Sequence, residues 1–277
     1  MSSRFHNGLL GVASQNPRGE MPFLDHLEEL RWRIFKAGGA LILGALVGFY
    51  LIQRFNVLEL LIAPVQPYLP DNGRLNYLSP VTPFLFLLKT SVLTGLILAF
   101  PIVLYQIWAF LSPALEKEEK RVIVPALYMG MFLFLGGAAL AYEVALPVSL
   151  QFLLGLQEDI LQPMLTADDY LSFVVRLLVG FGIIFELPVV VLILSVMGLI
   201  TPQFLRSKRR HAIVVITVLA SLLSPGDLIM VTAIMMVPLV FLYEFSILLS
   251  VMVYRRRERR ELEASTEPPE GSVDREG

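Results

Sequence analysis

Two carboxylic acids lie inside stretches of the chain that are otherwise apolar. Glu186 occurs in FGIIFELPVV (181–190), and Glu244 occurs in PLVFLYEF (238–245). An ionised carboxylate is costly in hydrocarbon, so each acid must face protein, a water-filled cavity or the polar group of a partner. Such a residue relays protons, contacts a polar partner, or hydrogen-bonds a neighbouring helix as a protonated packing group. Gln106, in PIVLYQIWAF (101–110), is cheaper to bury and is more typical of a hydrogen bond between helices.

Further acids lie at the ends of apolar runs. Glu28 and Glu29 precede the first run, and Glu116, Glu118 and Glu119 follow the second. Basic residues usually occupy such positions on the inner side of a membrane. Carboxylates there suit a basic ligand, above all arginine, because its planar guanidinium pairs with a carboxylate through two parallel hydrogen bonds. A run of both charges is also typical of a solvated helix cap, and the sequence leaves both interpretations open.

The segment 21–33 has the pattern of an amphipathic helix. Its apolar residues recur at helical spacing, and charged residues fill the opposite face. We expect this helix to lie along the inner membrane interface, either as a generic anchor or as part of a binding surface. We interpret His26 as a member of its polar face.

Apolar runs dominate the rest of the chain. Of the 277 residues, 56% are hydrophobic and 17% are charged, and the mean hydropathy of +0.69 excludes a water-soluble globular protein. A spanning helix needs about 20 apolar residues, and four runs have that length: 34–53, 90–111, 122–141 and 177–199. A fifth run, 212–223, would form a helix of only about 18 Å. With the sixth, 228–254, the sequence predicts an all-α membrane protein of six helices, the last two short, with a kink at Pro188.

The distribution of charge indicates the orientation of these helices. With both termini inside, the inner segments hold every Lys and Arg except Arg54, Arg74, Lys89 and Arg176, so we expect N-in and C-in. The net charge of -2 and the lack of a basic stripe argue against a nucleic-acid partner. With no cysteine and three scattered histidines, the chain has no residues for a His/Cys metal site, and we expect no cofactor.

These patterns predict three regions. We expect a cytoplasmic N-terminal segment with the amphipathic helix over 1–33, a six-helix transmembrane domain over 34–254, and a cytoplasmic tail over 255–277. The tail is too highly charged to bury a core, so we expect it to be disordered. Outside the membrane, the proline-rich segment 56–89 contains two apolar stretches, 57–63 and 84–88, that predict short interfacial helices. Together with segment 143–170 they would form an external cap.

A series of short motifs runs through the chain in order. They are HLEELR (26–31), AP (63–64), PIVLYQIWAFLSPAL (101–115), EKR (119–121), YLSF (170–173), FELP (185–188), GLITP (198–202) before a basic run, and SPGD (224–227). In this combination the chain resembles the TatC family, the multispanning subunit of the twin-arginine protein translocase. The resemblance extends from residue 21 to about residue 255.

The resemblance implies a fold and a function. It implies six helices in a cupped, glove-like arrangement, with a receptor for twin-arginine signal peptides at the cytoplasmic face. It further implies transport of folded proteins driven by the proton motive force, without nucleotide and together with the single-span TatA and TatB subunits. The expected setting is a homo-oligomer within a larger complex, in the inner membrane of a prokaryote rather than in a thylakoid.

The resemblance also assigns cytoplasmic site residues. Glu119 matches the acid of the first cytoplasmic loop that contacts the arginines of the signal peptide. Glu29 and Arg31 match the N-terminal recognition positions, and Phe110 matches the aromatic residue just before that loop. These four residues are the candidate signal-peptide site.

Other candidate residues lie in the membrane or outside it. By resemblance, Glu186 is the intramembrane acid of the fourth helix, Pro64 is the proline of the first external loop, and Asp227 is the acid of the last external turn. Gln106 and Glu244 join Glu186 as candidate polar contacts within the membrane.

Two other function classes fit the sequence less well. A proton-coupled small-molecule transporter would use Glu186 and Glu244 as proton carriers, and it predicts broken helices at matching positions of two halves. Only a short sequence similarity between AYEVALP (141–147) and IFELP (184–188) supports such a repeat. An intramembrane hydrolase needs a nucleophile with a base, or a metal cluster. The sequence has no motif for either, so we expect that the chain is not an enzyme.

Overall fold

The computed structural model describes residues 23–69, 74–112, 122–155, 164–224 and 229–266, which are almost entirely helical. The helices are α1 (Phe23–Arg54), α2 (Val57–Ile62), α3 (Thr82–Leu111), α4 (Ile123–Leu140), α5 (Leu146–Leu154), α6 (Ala167–Phe185), α7 (Leu187–Val196), α8 (Pro202–Ser207), α9 (Arg209–Leu223) and α10 (Ile229–Thr266). Within these ranges, one isolated bridge between Asn76 and Thr166 is the only strand-like pairing. The all-α fold class is confirmed.

Five helical stretches of the described chain are long and apolar enough to cross a membrane. They are Asp25–Arg54, Thr82–Leu111, Val124–Leu154, Ala167–Val196 and Val231–Arg256. The sixth candidate is α9, whose 15 residues reach about 22 Å, less than the ~30 Å of the hydrocarbon core. The structure therefore agrees with six helices. Of the last two, however, only α9 is short, because α10 has 38 residues.

Small residues let α1 pack closely along α3. A Cβ atom built on Gly44 would lie 2.5 Å from the carbonyl oxygen of Gly95, and one on Gly48 would lie 2.5 Å from that of Ser91. Two glycines four residues apart allow membrane helices to approach each other closely. This contact fixes the start of α1 beside the end of α3.

The third and fourth spans are both irregular. A π-helical segment, Ala141–Ala145, joins α4 to α5, so the third span continues to Leu154 rather than ending at 141. In the fourth span, α6 ends at Phe185 and α7 begins at Leu187, which leaves Glu186 at the break. Pro188 has no N–H and its ring clashes with the preceding turn, so it interrupts the helix. The helix break at Glu186 lies two residues before Pro188, where the sequence predicted a kink.

The fourth span lies in the core of the protein. Leu171, Leu177 and Phe181 of α6 are fully buried. Beside them, the rings of Phe100 (α3) and Phe134 (α4) stack with their centroids 3.5 Å apart. This packing brings α3, α4 and α6 together around the level of the break.

Further boundaries differ from those expected from the sequence. α1 is continuous from Phe23 to Arg54, so residues 23–33 are its first turns and not a separate interfacial helix. The stretch 84–88 belongs to α3. α10 continues to Thr266, past the expected start of the disordered tail at 255. Arg and Glu are good helix formers, and extending an existing helix avoids the cost of nucleation.

Candidate functional site

The start of α1 and the end of α3 form a cluster of polar and aromatic side chains. The imidazole of His26 stacks on the ring of Phe110, with centroids 4.3 Å apart and planes inclined by 12°. Glu29 lies one turn further along α1, and its Oε2 is 3.9 Å from Nδ1 of His26. We call His26, Glu29, Arg33 and Phe110 the α1–α3 cluster. The structure thus brings together two of the predicted signal-peptide residues, Glu29 and Phe110.

The carboxylate of Glu29 is only half satisfied. Nε of Arg33 donates a hydrogen bond of 2.9 Å to Oε1, and Nη2 of Arg33 contacts the same oxygen. The other oxygen, Oε2, is buried and has no hydrogen-bond partner among the residues that the structure describes. An unpaired buried acceptor is costly, so Oε2 is the atom of this cluster best placed to accept a donor from a ligand.

The two other predicted signal-peptide residues are not in this contact set. Arg31 is exposed, and its guanidinium carbon lies 5.7 Å from the centroid of the Phe35 ring on the same helix. Glu119 lies outside the described residues.

Glu186 is the most isolated acid of the described chain. Both of its carboxyl oxygens are buried, and neither has a hydrogen-bond partner within the described ranges. The carboxyl group faces Gly130 of α4 near Leu104 of α3. Gln106 follows Leu104 by two residues, and side chains at that spacing do not share a helix face. The side chain of Gln106 is half-buried.

Glu244 is not a lone intramembrane acid. Nη2 of Arg209 donates a hydrogen bond of 2.6 Å to Oε2 of Glu244, and both side chains are about half-exposed. The sequence analysis left the partner of Glu244 open. Helix α9 begins at Arg209, three residues before the apolar run 212–223, and this places the guanidinium beside α10.

The end of the molecule opposite the α1–α3 cluster is held by side-chain contacts to backbone. The hydroxyl of Tyr142 donates to the carbonyl of Leu60, and that of Tyr170 donates to the carbonyl of Leu61 at 2.7 Å. These bonds hold α2 and the following turn, where Pro64 is half-buried. Asp227, the other predicted external residue, lies outside the described part of the chain.

Sequence reasoning missed several residues of these sites. His26 was interpreted as a member of the polar face of the first helix, and its stacking on Phe110 was not expected. Arg33 was not singled out, although its position four residues after Glu29 is the spacing at which helical side chains pair. Nothing in the sequence distinguished Gly130. Among the described residues, no group of three or more His, Asp or Glu could hold a metal ion.

Comparisons with known proteins agree with this fold. The family model for the Sec-independent protein translocase protein TatC matches residues 25–238. A protein of that name from Aquifex aeolicus is 39% identical over 240 residues, which are 86% of this chain and 98% of the relative. One from Desulforapulum autotrophicum is 35% identical over 245 residues, 88% and 89% of the two chains. A crystal structure described as the twin arginine translocase receptor TatC is 40% identical, with a TM-score of 0.71, over 83% of this chain and 99% of that one. This chain belongs to the TatC family.

Proposed function

We propose that this chain is the multispanning core of a twin-arginine protein translocase. In this function it binds the twin-arginine signal peptides of folded proteins and, together with TatA- and TatB-type subunits, moves those proteins across the membrane at the expense of the proton motive force. Membership of the TatC family supports the proposal. So does the name of the relatives, Sec-independent protein translocase protein, and the description of the solved relative as a receptor.

The α1–α3 cluster is the observation that carries the proposal. Oε2 of Glu29 is buried and lacks a donor among the described residues, and the His26–Phe110 stack lies beside it. A guanidinium can donate to that oxygen while its planar face lies against an aromatic ring. Glu119 follows the end of α3 in the sequence, and we assign it as a second carboxylate for the arginine pair. Arg31 is assigned to the rim of the same surface.

The proposed orientation places the α1–α3 cluster in the cytoplasm. Both termini are then inside, and the membrane is the inner membrane of a prokaryote. The bias of Lys and Arg toward the segments around the start of α1 and the end of α10 supports this orientation. Pro64 and Asp227 are then external, and Glu186 and Gln106 lie within the membrane as contacts for a passing or partner helix.

The pairing of Glu244 argues against the alternative of a proton-coupled small-molecule transporter. That mechanism would use Glu186 and Glu244 as successive proton carriers. Nη2 of Arg209 donates a hydrogen bond to Oε2 of Glu244, so this acid already has a partner on a neighbouring helix. Glu244 therefore fits a contact between α9 and α10 better than a site that is open along a transport path.

A binding measurement tests the proposed function. The purified full chain in lipid nanodiscs is titrated with fluorescent signal peptides that carry Arg-Arg, Lys-Lys or Ala-Ala at the motif and are otherwise identical. We expect Arg-Arg to bind more tightly than Lys-Lys, and Lys-Lys more tightly than Ala-Ala, because only arginine offers the planar fork. Equal affinity for all three peptides would refute a twin-arginine receptor.

A further inference from the structure

Gly130 lies on the stripe of α4 that packs against the fourth span. Two further residues of α4 mark this stripe, because Phe134 follows Gly130 by four residues and Gly137 follows it by seven. Gly137 lies beneath the ring of Phe185, and Phe134 covers Gly182 of α6. Gly130 is therefore directed at the next residues of the fourth span, where the helix breaks.

The carboxyl group of Glu186 occupies the space that a side chain at position 130 would need. A Cβ atom built on Gly130 would lie 2.8 Å from Oε2 of Glu186 and 2.8 Å from Cδ2 of Leu104. Both distances are well inside the ~3.5 Å at which non-bonded heavy atoms attract each other. By contrast, a Cβ atom on Gly136 of the same helix would meet nothing within 4 Å.

We propose that Gly130 is a positioning residue for Glu186. Gly130 and Leu104 form a seat between α3 and α4, and this seat holds the carboxyl group buried, without a partner among the described residues. A carboxyl group held in this way can hydrogen-bond a polar group of an entering membrane segment without first breaking an internal bond. The identity of the entering segment rests on the proposed function. The position of the carboxyl group between Gly130 and Leu104 does not depend on it.

The seat can be filled without unfolding the protein. The two atoms that a Cβ at position 130 would meet are the far ends of flexible side chains. We therefore expect Gly130→Ala to fold and to displace the carboxyl group of Glu186. Gly136→Ala adds the same methyl group to the same helix and is the matched control.

Chemical labelling tests the seat independently of transport. The purified full chain in nanodiscs is treated with dicyclohexylcarbodiimide, an apolar reagent for carboxyl groups in membranes, and the adduct on the peptide containing Glu186 is measured by mass spectrometry. Glu186→Gln supplies the blank. We expect a severalfold faster reaction in Gly130→Ala than in the wild type, and no change in Gly136→Ala. Equal labelling rates in the wild type and in Gly130→Ala would refute the proposal that Gly130 positions Glu186. An equal rise of the labelling rate in both glycine variants would refute it as well.

Export assays test whether the seat matters for function. The variants are expressed in a bacterium that lacks its own TatC, and the export of a twin-arginine reporter is measured. We expect Gly130→Ala to reduce export to the same extent as Glu186→Ala. We expect Glu186→Asp to restore part of the export in the Gly130→Ala background, because the shorter side chain avoids the new methyl group. Full export by Gly130→Ala despite faster labelling would overturn the positioning role. Failure of the wild type to export the reporter would count against the proposed function. The labelling result would still show whether Gly130 positions the carboxyl group of Glu186.

Discussion

Glu29→Gln should weaken the binding of an Arg-Arg signal peptide about tenfold. Arg33 already occupies Oε1, and none of the described residues donates a hydrogen bond to Oε2, so Oε2 is the acceptor for an incoming guanidinium. One hydrogen bond to a charged group contributes roughly 1.5 to 3 kcal/mol. The side chain of Glu29 is 20% exposed, so solvent screening favours the lower end of that range, and about 1.4 kcal/mol corresponds to a factor of ten. Glutamine keeps the shape and removes the charge.

Arg33→Gln should have the opposite effect. This change frees Oε1 and removes a positive charge that repels the ligand, so an incoming guanidinium can engage both oxygens of Glu29. A further charge-assisted hydrogen bond contributes roughly 1.5 to 3 kcal/mol, and solvent screening again favours the lower end, which predicts binding that is tighter by about tenfold. A Lys-Lys peptide should gain less, because an ammonium group cannot form the parallel pair of bonds.

The assay is fluorescence anisotropy with the purified chain in nanodiscs and with Arg-Arg, Lys-Lys and Ala-Ala peptides at fixed ionic strength. Arg54→Gln, at the other end of α1, is the control for loss of a positive charge. Two results would refute the reasoning. If Arg33→Gln weakens binding as much as Glu29→Gln does, the pair is a structural unit and not a receptor for arginine. If Glu29→Gln weakens the binding of all three peptides by the same factor, Glu29 does not recognise arginine.

Three further predictions concern the membrane domain. Glu186→Gln should retain most export and Glu186→Ala should lose it, because glutamine still hydrogen-bonds but cannot ionise; loss in both variants would indicate proton transfer instead. Tyr170→Phe removes the hydroxyl that donates a hydrogen bond to the carbonyl of Leu61, and this should lower the free energy of unfolding by about 1 to 3 kcal/mol. The loss should be seen as a lower unfolding temperature in detergent. An unchanged unfolding temperature would contradict the role of this bond. Lengthening α9 by one turn of leucines should reduce export without unfolding the protein, since a helix of about 22 Å must thin the bilayer around it; unchanged export would exclude thinning from the mechanism.

Some helix ends, and the break in the fourth span, follow from local sequence. Thr166 accepts a hydrogen bond from the N–H of Asp169 at the start of α6, as expected of a threonine at a helix N-cap. Pro188 lacks an N–H and its ring clashes with the preceding turn, which favours the break after Phe185. The sequence analysis missed the extension of α10 to Thr266 because the composition of this charged segment, taken alone, is that of a disordered tail. The segment follows an existing helix, and extending that helix needs no new nucleation.

Local sequence was sufficient to locate the spanning helices, to predict an irregularity next to Pro188 and to identify the family. Apolar length is a property of the chain alone, because the bilayer sets the required length regardless of what a helix packs against. Which side chains meet depends instead on how the helices pack. His26 and Phe110, Arg209 and Glu244, and Gly130 and Glu186 lie on different helices. Helical periodicity shows which residues share a face, but it does not show what that face contacts. Gly130 gave no signal in the sequence because its contribution is the absence of a side chain.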